Sequence, residues 1–166
     1  MIDNDTLQQR LNQVALRFIT YRDRLEGEII KRLKLEVKKK QYGEEGEKMI
    51  PVVVEKIREM GLIDDVQFIK DFTRIQLESK FKGPYFISRR LFQLGADSSL
   101  VKSLMVELID GEKEGVAIDQ VIQRKFPQGI NDQKDKIRLY NQLKSRGFSH
   151  QSIKEKIDAS VTNRVQ

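Results

Sequence analysis

Leu91-Phe92-Gln93-Leu94-Gly95-Ala96-Asp97 decides the fold, because it returns as Leu143-Lys144-Ser145-Arg146-Gly147-Phe148-Ser149. The two glycines stand 52 residues apart, and Gly43 stands another 52 residues before Gly95. Beyond the glycines the match continues, with Val101-Lys102 against Ile153-Lys154 and Met105 against Ile157. Each glycine falls where a left-handed residue ends a helix. A fixed period of this length is the mark of a repeat architecture, whose units share a core with their neighbours. The period therefore predicts an all-α protein, an elongated array of three tandem three-helix repeats over 1–61, 62–111 and 112–166. Gly111-Glu112-Lys113-Glu114-Gly115 reads as the joint between the second and third.

Working outward, the apolar spacing is helical throughout. Leu7, Leu11, Val14 and Phe18 share one face, as do Phe68, Phe72 and Ile75, then Ile87, Leu91 and Leu94. Leu100, Val101, Leu104, Met105 and Leu108 form a wider stripe, followed by Ile118, Val121 and Ile122 and by Ile153, Ile157 and Val161. Pro51-Val52-Val53-Val54 is the one β-like patch. It reads as helix because Ile50, Val54 and Ile57 share a face and Pro51 suits a first turn; a short strand is the alternative. Nine helices result, near 6–22, 24–42, 47–60, 65–81, 84–94, 98–110, 115–126, 132–146 and 150–162. Asp64 with Gln67, Asp97 or Ser98, Asn131 or Asp132, and Ser149 stand at N-cap positions.

Composition excludes whole classes of chemistry. The 166 residues contain no cysteine and one histidine, so disulfides, thiol nucleophiles, iron–sulfur clusters and histidine-based metal clusters are out of reach. Asp64 and Asp65 form the one tempting acidic pair, but neighbouring helix-start carboxylates point apart and suit the positive end of the helix dipole. His150 has no evident triad partner and reads as a surface residue. Gly111 and Gly115 match neither phosphate-loop nor dinucleotide patterns. Phe68, Phe72, Phe81 and Phe86 read as core rather than as base-stacking platforms. No nucleophile, base and oxyanion donor assemble. The expectation is a protein that is not an enzyme, with no cofactor, no metal and no small-molecule substrate. Acids at Met1-Ile2-Asp3-Asn4-Asp5, where a signal peptide is basic, point to the cytoplasm, and no apolar run is long enough for a membrane.

The charge is informative. The net charge is +6, with 31 Lys and Arg against 25 Asp and Glu. The middle helix of each expected repeat is basic. Lys31, Arg32, Lys34, Lys38, Lys39 and Lys40 face Glu36; Lys80, Lys82, Arg89 and Arg90 surround Gly83-Pro84; Lys134, Lys136, Arg138, Lys144 and Arg146 face Asp135. If these faces align, they form a strip suited to phosphates or an acidic groove. Three unrelated solvated faces are the plainer alternative. The candidate contact residues are Lys31, Arg32, Lys82, Arg89, Arg90, Lys136, Arg138, Lys144 and Arg146.

Gly61-Leu62-Ile63-Asp64-Asp65-Val66-Gln67-Phe68-Ile69-Lys70-Asp71-Phe72, then Lys82-Gly83-Pro84-Tyr85-Phe86-Ile87-Ser88-Arg89-Arg90-Leu91 and Gly95, resembles the RecX family of recombinase regulators. Ala15-Leu16, Glu28-Ile29 and Arg32-Leu33 match the family more loosely, and the resemblance spans roughly 15–157. Leu25 stands where the family has a capping serine, so Asp23 with Glu26 is expected to supply the capping box instead. The resemblance implies three tandem three-helix repeats. It also implies a DNA-repair and SOS-response role: binding in the groove of the RecA filament on DNA and limiting ATP hydrolysis, strand exchange and filament growth, with weak DNA binding alone. A stand-alone, weakly sequence-specific nucleic-acid-binding module is the second reading, and a helical scaffold for another partner the third.

Overall fold

The structure, a computed structural model, describes residues 3–162, apart from the side chains at 161 and 162. The apolar position expected at Val161 and the start at Met1-Ile2 lie outside the described residues. Within them the chain is all-α: α1 (Asn4–Thr20), α2 (Glu26–Lys40), α3 (Gly43–Glu59), α4 (Asp65–Arg74) with a π-helical turn (Ile75–Ser79), α5 (Pro84–Leu94), α6 (Ser98–Leu108), α7 (Gly111–Lys125), α8 (Gln133–Ser145) and α9 (His150–Thr162).

The chain divides into two compact units, Met1–Phe68 with Gln93–Asp97, and Ile69–Phe92 with Ser98–Gln166. In the first, α1, α2 and α3 pack on one another around Leu7, Leu11, Ala15, Ile29, Leu33, Ile50, Val53 and Ile57. Each Leu or Ile fully withdrawn there contributes about 1.5–3 kcal/mol. In the second, α7, α8 and α9 make the same mutual contacts, with Ile118, Leu139, Leu143 and Ile153 buried.

Caps follow local chemistry. The Asp64 carboxylate accepts from Gln67 N at 2.8 Å, Asp132 from Asp135 N at 2.8 Å, and the Ser149 hydroxyl from Ser152 N at 3.0 Å. Other expectations are corrected. The capping box at α2 is not Asp23 with Glu26. Leu25 is the N-cap, and the Glu28 carboxylate accepts its N–H at 3.3 Å, because Glu26 N is already bound to Asp65 Oδ1 at 2.9 Å. Helix α3 opens at Gly43 rather than 47, so Pro51 lies inside it, on an exposed face. The residue ending α2 in the left-handed conformation is Gln41, φ 57°; Gly43, φ 63°, is also left-handed but belongs to the start of α3. The segment expected to be a joint, Gly111–Gly115, is the first turn of α7. Asp110 caps it, accepting from Lys113 N at 2.8 Å, and Glu112 and Glu114 favour the dipole's positive end.

The face expected from Phe68, Phe72 and Ile75 also shifts. Ile75 is exposed, while Ile69, Thr73, Gln76 and Leu77 are buried. A spacing of four residues repeated from 69 to 77 outruns a helix of about 3.6 residues per turn. The wider π-helical turn absorbs the drift, and such turns favour functional sites.

Asp65 is a fold residue with a testable pH signature. Burial, then the neighbouring charges of Glu26 and Asp64, push its carboxyl above the usual range against the pull of Glu26 N–H and Arg58. With the folded pKa raised, the stability this group contributes is full below the unfolded pKa of about 3.9 and is lost as pH rises through the folded value. In urea titrations across pH, Asp65→Asn, which keeps an acceptor for Glu26 N, should therefore flatten the stability loss expected above pH 4. Asp65→Ala should destabilise at every pH. A pH profile unchanged in Asp65→Asn would contradict this.

Candidate functional site

The nine cations singled out from the sequence have different fates. Arg32 pairs with Glu36 at 3.2 Å and Arg138 with Asp135 at 3.8 Å, one turn away on their own helices. Such pairs are worth about 0–1 kcal/mol and leave the charges largely neutralised. Lys31 donates to the Gln93 carbonyl at 3.0 Å, and so fastens the Gln93–Asp97 segment to α2. Arg89 and Arg90 are exposed on α5; Lys136 is half-buried on α8. The Lys144 ammonium lies 5.9 Å from the Tyr140 ring centroid. His150 is exposed, as expected, its Nδ1 3.0 Å from the Tyr140 hydroxyl.

Lys82 and Arg146 are brought together. The α8 terminus docks on the start of α5: Gly83 N donates to Arg146 O at 2.8 Å and Tyr85 N to Gly147 O at 3.0 Å. Donors that a helix start leaves orphaned thus meet acceptors that a helix end leaves orphaned. Arg146 Nη1 donates back to the carbonyls of Lys80 and Phe81 at 3.0 and 3.2 Å. These bonds brace Phe81, whose φ of 50° is unusual for a bulky residue. The Lys82 ammonium sits 4.6 Å from the Phe86 ring centroid. Burial, and then the like charges of Arg146 and Lys80, hold its pKa below the usual lysine range.

Three cations outside the nine contact candidates, Lys80 of the expected basic stretch and Arg124 and Lys125, complete this neighbourhood. Lys80, Arg124, Lys125 and Arg146 line one cavity of about 360 Å³, with Ser79 and Phe81. The Arg124 guanidinium stacks 4.4 Å from the Phe81 ring centroid. Arg124 and Lys125 are the basic residues of the last turn of α7, where cations suit the helix dipole, and the fold sets that turn beside the π-helical turn. Among the described residues no group of His, Cys, Asp or Glu is arranged to hold a metal ion. No helix among them is long and apolar enough to cross a membrane.

No family model matches the chain. Two solved structures share its fold: a crystal structure of regulatory protein RecX, TM-score 0.73 at 20% identity, covering 93% of this chain and 73% of that one, and RecX from Lactobacillus salivarius, TM-score 0.75 at 18% identity, covering 94% and 97%. In sequence the chain is similar to regulatory protein RecX of Chlorobium phaeobacteroides, 29% identical over 93% of this chain and 95% of the relative. It is similar to those of Streptococcus agalactiae serotype V, 26% identical over 84% of this chain, and Geobacillus thermodenitrificans, 30% identical over 85%. It spans about half the length of these last two relatives. Fold and likeness together define an all-α protein of the regulatory class. More narrowly, the chain belongs to the RecX family of regulatory proteins.

Proposed function

We propose that this chain binds a RecA-type recombinase filament on DNA and restrains it, limiting ATP hydrolysis, strand exchange and filament growth. It would act in the cytoplasm, by occupancy of the filament and without catalysis of its own. The observation supporting this, beside family membership, is the set of cations on and beside α5 and α8 that have no carboxylate partner among the described residues: Lys82, Arg89, Lys136, Lys144 and Arg146. Unneutralised cations on rigid helices suit an acidic groove containing phosphates. The mutual packing of α1–α3 and of α7–α9 supports the division into three repeats at 1–61, 62–111 and 112–166.

The direct test follows ATP hydrolysis by RecA on single-stranded DNA as the protein is added. Hydrolysis unchanged at several-fold excess over filament sites rejects the reading. The paired substitution Arg89→Glu with Arg90→Glu should raise the concentration for half-inhibition about tenfold, as expected when facing charges turn from attractive to repulsive. Its unfolding free energy from urea titration should change by no more than the ~0.5 kcal/mol usual for surface positions. Full inhibition by this variant would remove these two arginines from the contact.

A further inference from the structure

We infer that the cavity lined by Lys80, Arg124, Lys125 and Arg146 is a binding pocket for phosphate groups. Four cations converge on about 360 Å³, and no carboxylate among the described residues lines it. Among the described residues none of the four makes an ion pair. Two other cations of the fold do have carboxylate partners: Arg24 has Glu28, and Lys156 has Asp119 at 2.5 Å. The neighbouring cavity against the same turn, lined by Glu78, Asp110 and Glu112 beside Lys113, has acids of its own. A like-charged cluster left unrelieved costs stability, and an anion removes that cost.

The geometry suits oxyanions in particular. Arg124 is held flat by the Phe81 ring and Arg146 is anchored through Nη1 alone. Both guanidinium forks are thus pre-oriented, with further N–H groups available, the arrangement that favours bidentate phosphate binding. Lys80 and Lys125 are exposed and supply mobile point charges, and Ser79 adds a hydroxyl. The walls are unusual backbone, a π-helical turn and the left-handed Phe81, which a docking function rationalises. The phosphate arrives either as a free polyphosphate anion or within a nucleic-acid backbone. The pocket stands whether or not a recombinase is the partner.

The 166-residue chain is titrated calorimetrically with inorganic pyrophosphate and, in a second arm, with a thymidine oligonucleotide lacking terminal phosphates. Arg124→Gln with Lys125→Gln should weaken pyrophosphate binding about tenfold or more, from the lost charge-assisted hydrogen bonds. Lys102→Gln with Lys154→Gln, exposed outside the pocket, should leave it unchanged. A parallel loss in the oligonucleotide arm assigns the pocket to backbone phosphate; loss for pyrophosphate alone assigns it to free anions. Loss for the oligonucleotide alone also supports the pocket, as a backbone site. Binding of neither probe, or equal weakening by both variants, overturns the proposal. Arg146→Lys keeps the charge but loses the fork; with unchanged thermal melting it should still weaken binding, and unchanged affinity there counts against the oriented-fork geometry.

Discussion

Gly147→Ala should lower stability by about 2–5 kcal/mol, the sum of overpacking and a left-handed backbone. In a domain of this size each kcal/mol moves the melting midpoint by about 2–4 °C, so a fall on the order of 10 °C is expected. Gly147 has φ 87°, and a Cβ there would drive into the backbone of Phe86. Three glycines separate the two contributions. Gly43→Ala at φ 63° meets nothing within 4 Å, so only backbone strain applies, about 1 kcal/mol. At Gly83 the backbone is not left-handed, but a Cβ would strike Gly147 and Phe148, and the Gly83 N to Arg146 O bond would be pushed apart. Gly147→Ala combines both. The first unit repeats this joint, because a Cβ on Gly27 would strike the Gly95 carbonyl. Gly27→Ala should therefore resemble Gly83→Ala. Thermal melts of the series should rank Gly43 mildest, Gly83 and Gly27 intermediate, and Gly147 most severe. Were Gly147→Ala to melt no lower than Gly43→Ala, the close approach of α5 to the α8 terminus would be wrong.

That joint marks the boundary of what sequence reveals. Gly95 and Gly147 end their helices with φ 96° and 87°, as their spacing implies, because a C′ position is a local demand. The caps at Asp64, Asp132 and Ser149 were legible for the same reason: donor and acceptor lie three residues apart. Helix starts were less legible where weak residues precede strong ones. Gly43 and Gly111 look like breaks, yet the glutamates after them and the α3 and α7 cores carry the helix back to the glycine. The cations were legible as charge and not as role. Lys31 and Arg146 carry no local sign that they reach carbonyls 62 and 66 residues away. The cavity at Arg124 and Lys125 needs three elements distant in the chain, and one is a π-helical turn whose onset no apolar period announces. Arg32 and Arg138, by contrast, had their neutralising partners in plain view at Glu36 and Asp135, a turn or less away.

Glu28→Ala is the second large effect expected, about 2–4 kcal/mol. It falls between the ~0–1 kcal/mol of an exposed pair and the ~3–5 kcal/mol of breaking a buried one. The carboxylate is 10% exposed and serves four donors: Arg22 Nη2 at 2.5 Å, and Arg22 Nη1, Arg24 Nη1 and Leu25 N, each at 3.3 Å. Arg24 is itself 15% exposed, lies 3.9 Å from the Phe18 ring centroid and donates through Nε to Phe18 O at 3.3 Å. Removing Glu28 strands this desolvated guanidinium and orphans the N-cap amide of α2 together. Glu28→Gln retains an acceptor without the charge and should cost about 1–2 kcal/mol, the range of a lost charge-assisted component. Glu55→Ala is the control. Its ion pair with Arg58 is exposed, and Arg58 keeps Glu26 at 2.6 Å. That loss should stay below about 1 kcal/mol and shrink in 1 M salt, where screening acts within ~3 Å. Loss at Glu28 should persist in salt, because protein and not water surrounds most of the network. Equal urea midpoints for Glu28→Ala and Glu55→Ala would show that the Arg22–Arg24–Glu28 cluster is a surface arrangement and that the α1–α2 corner is held by the Phe18, Ile29 and Leu33 contacts alone.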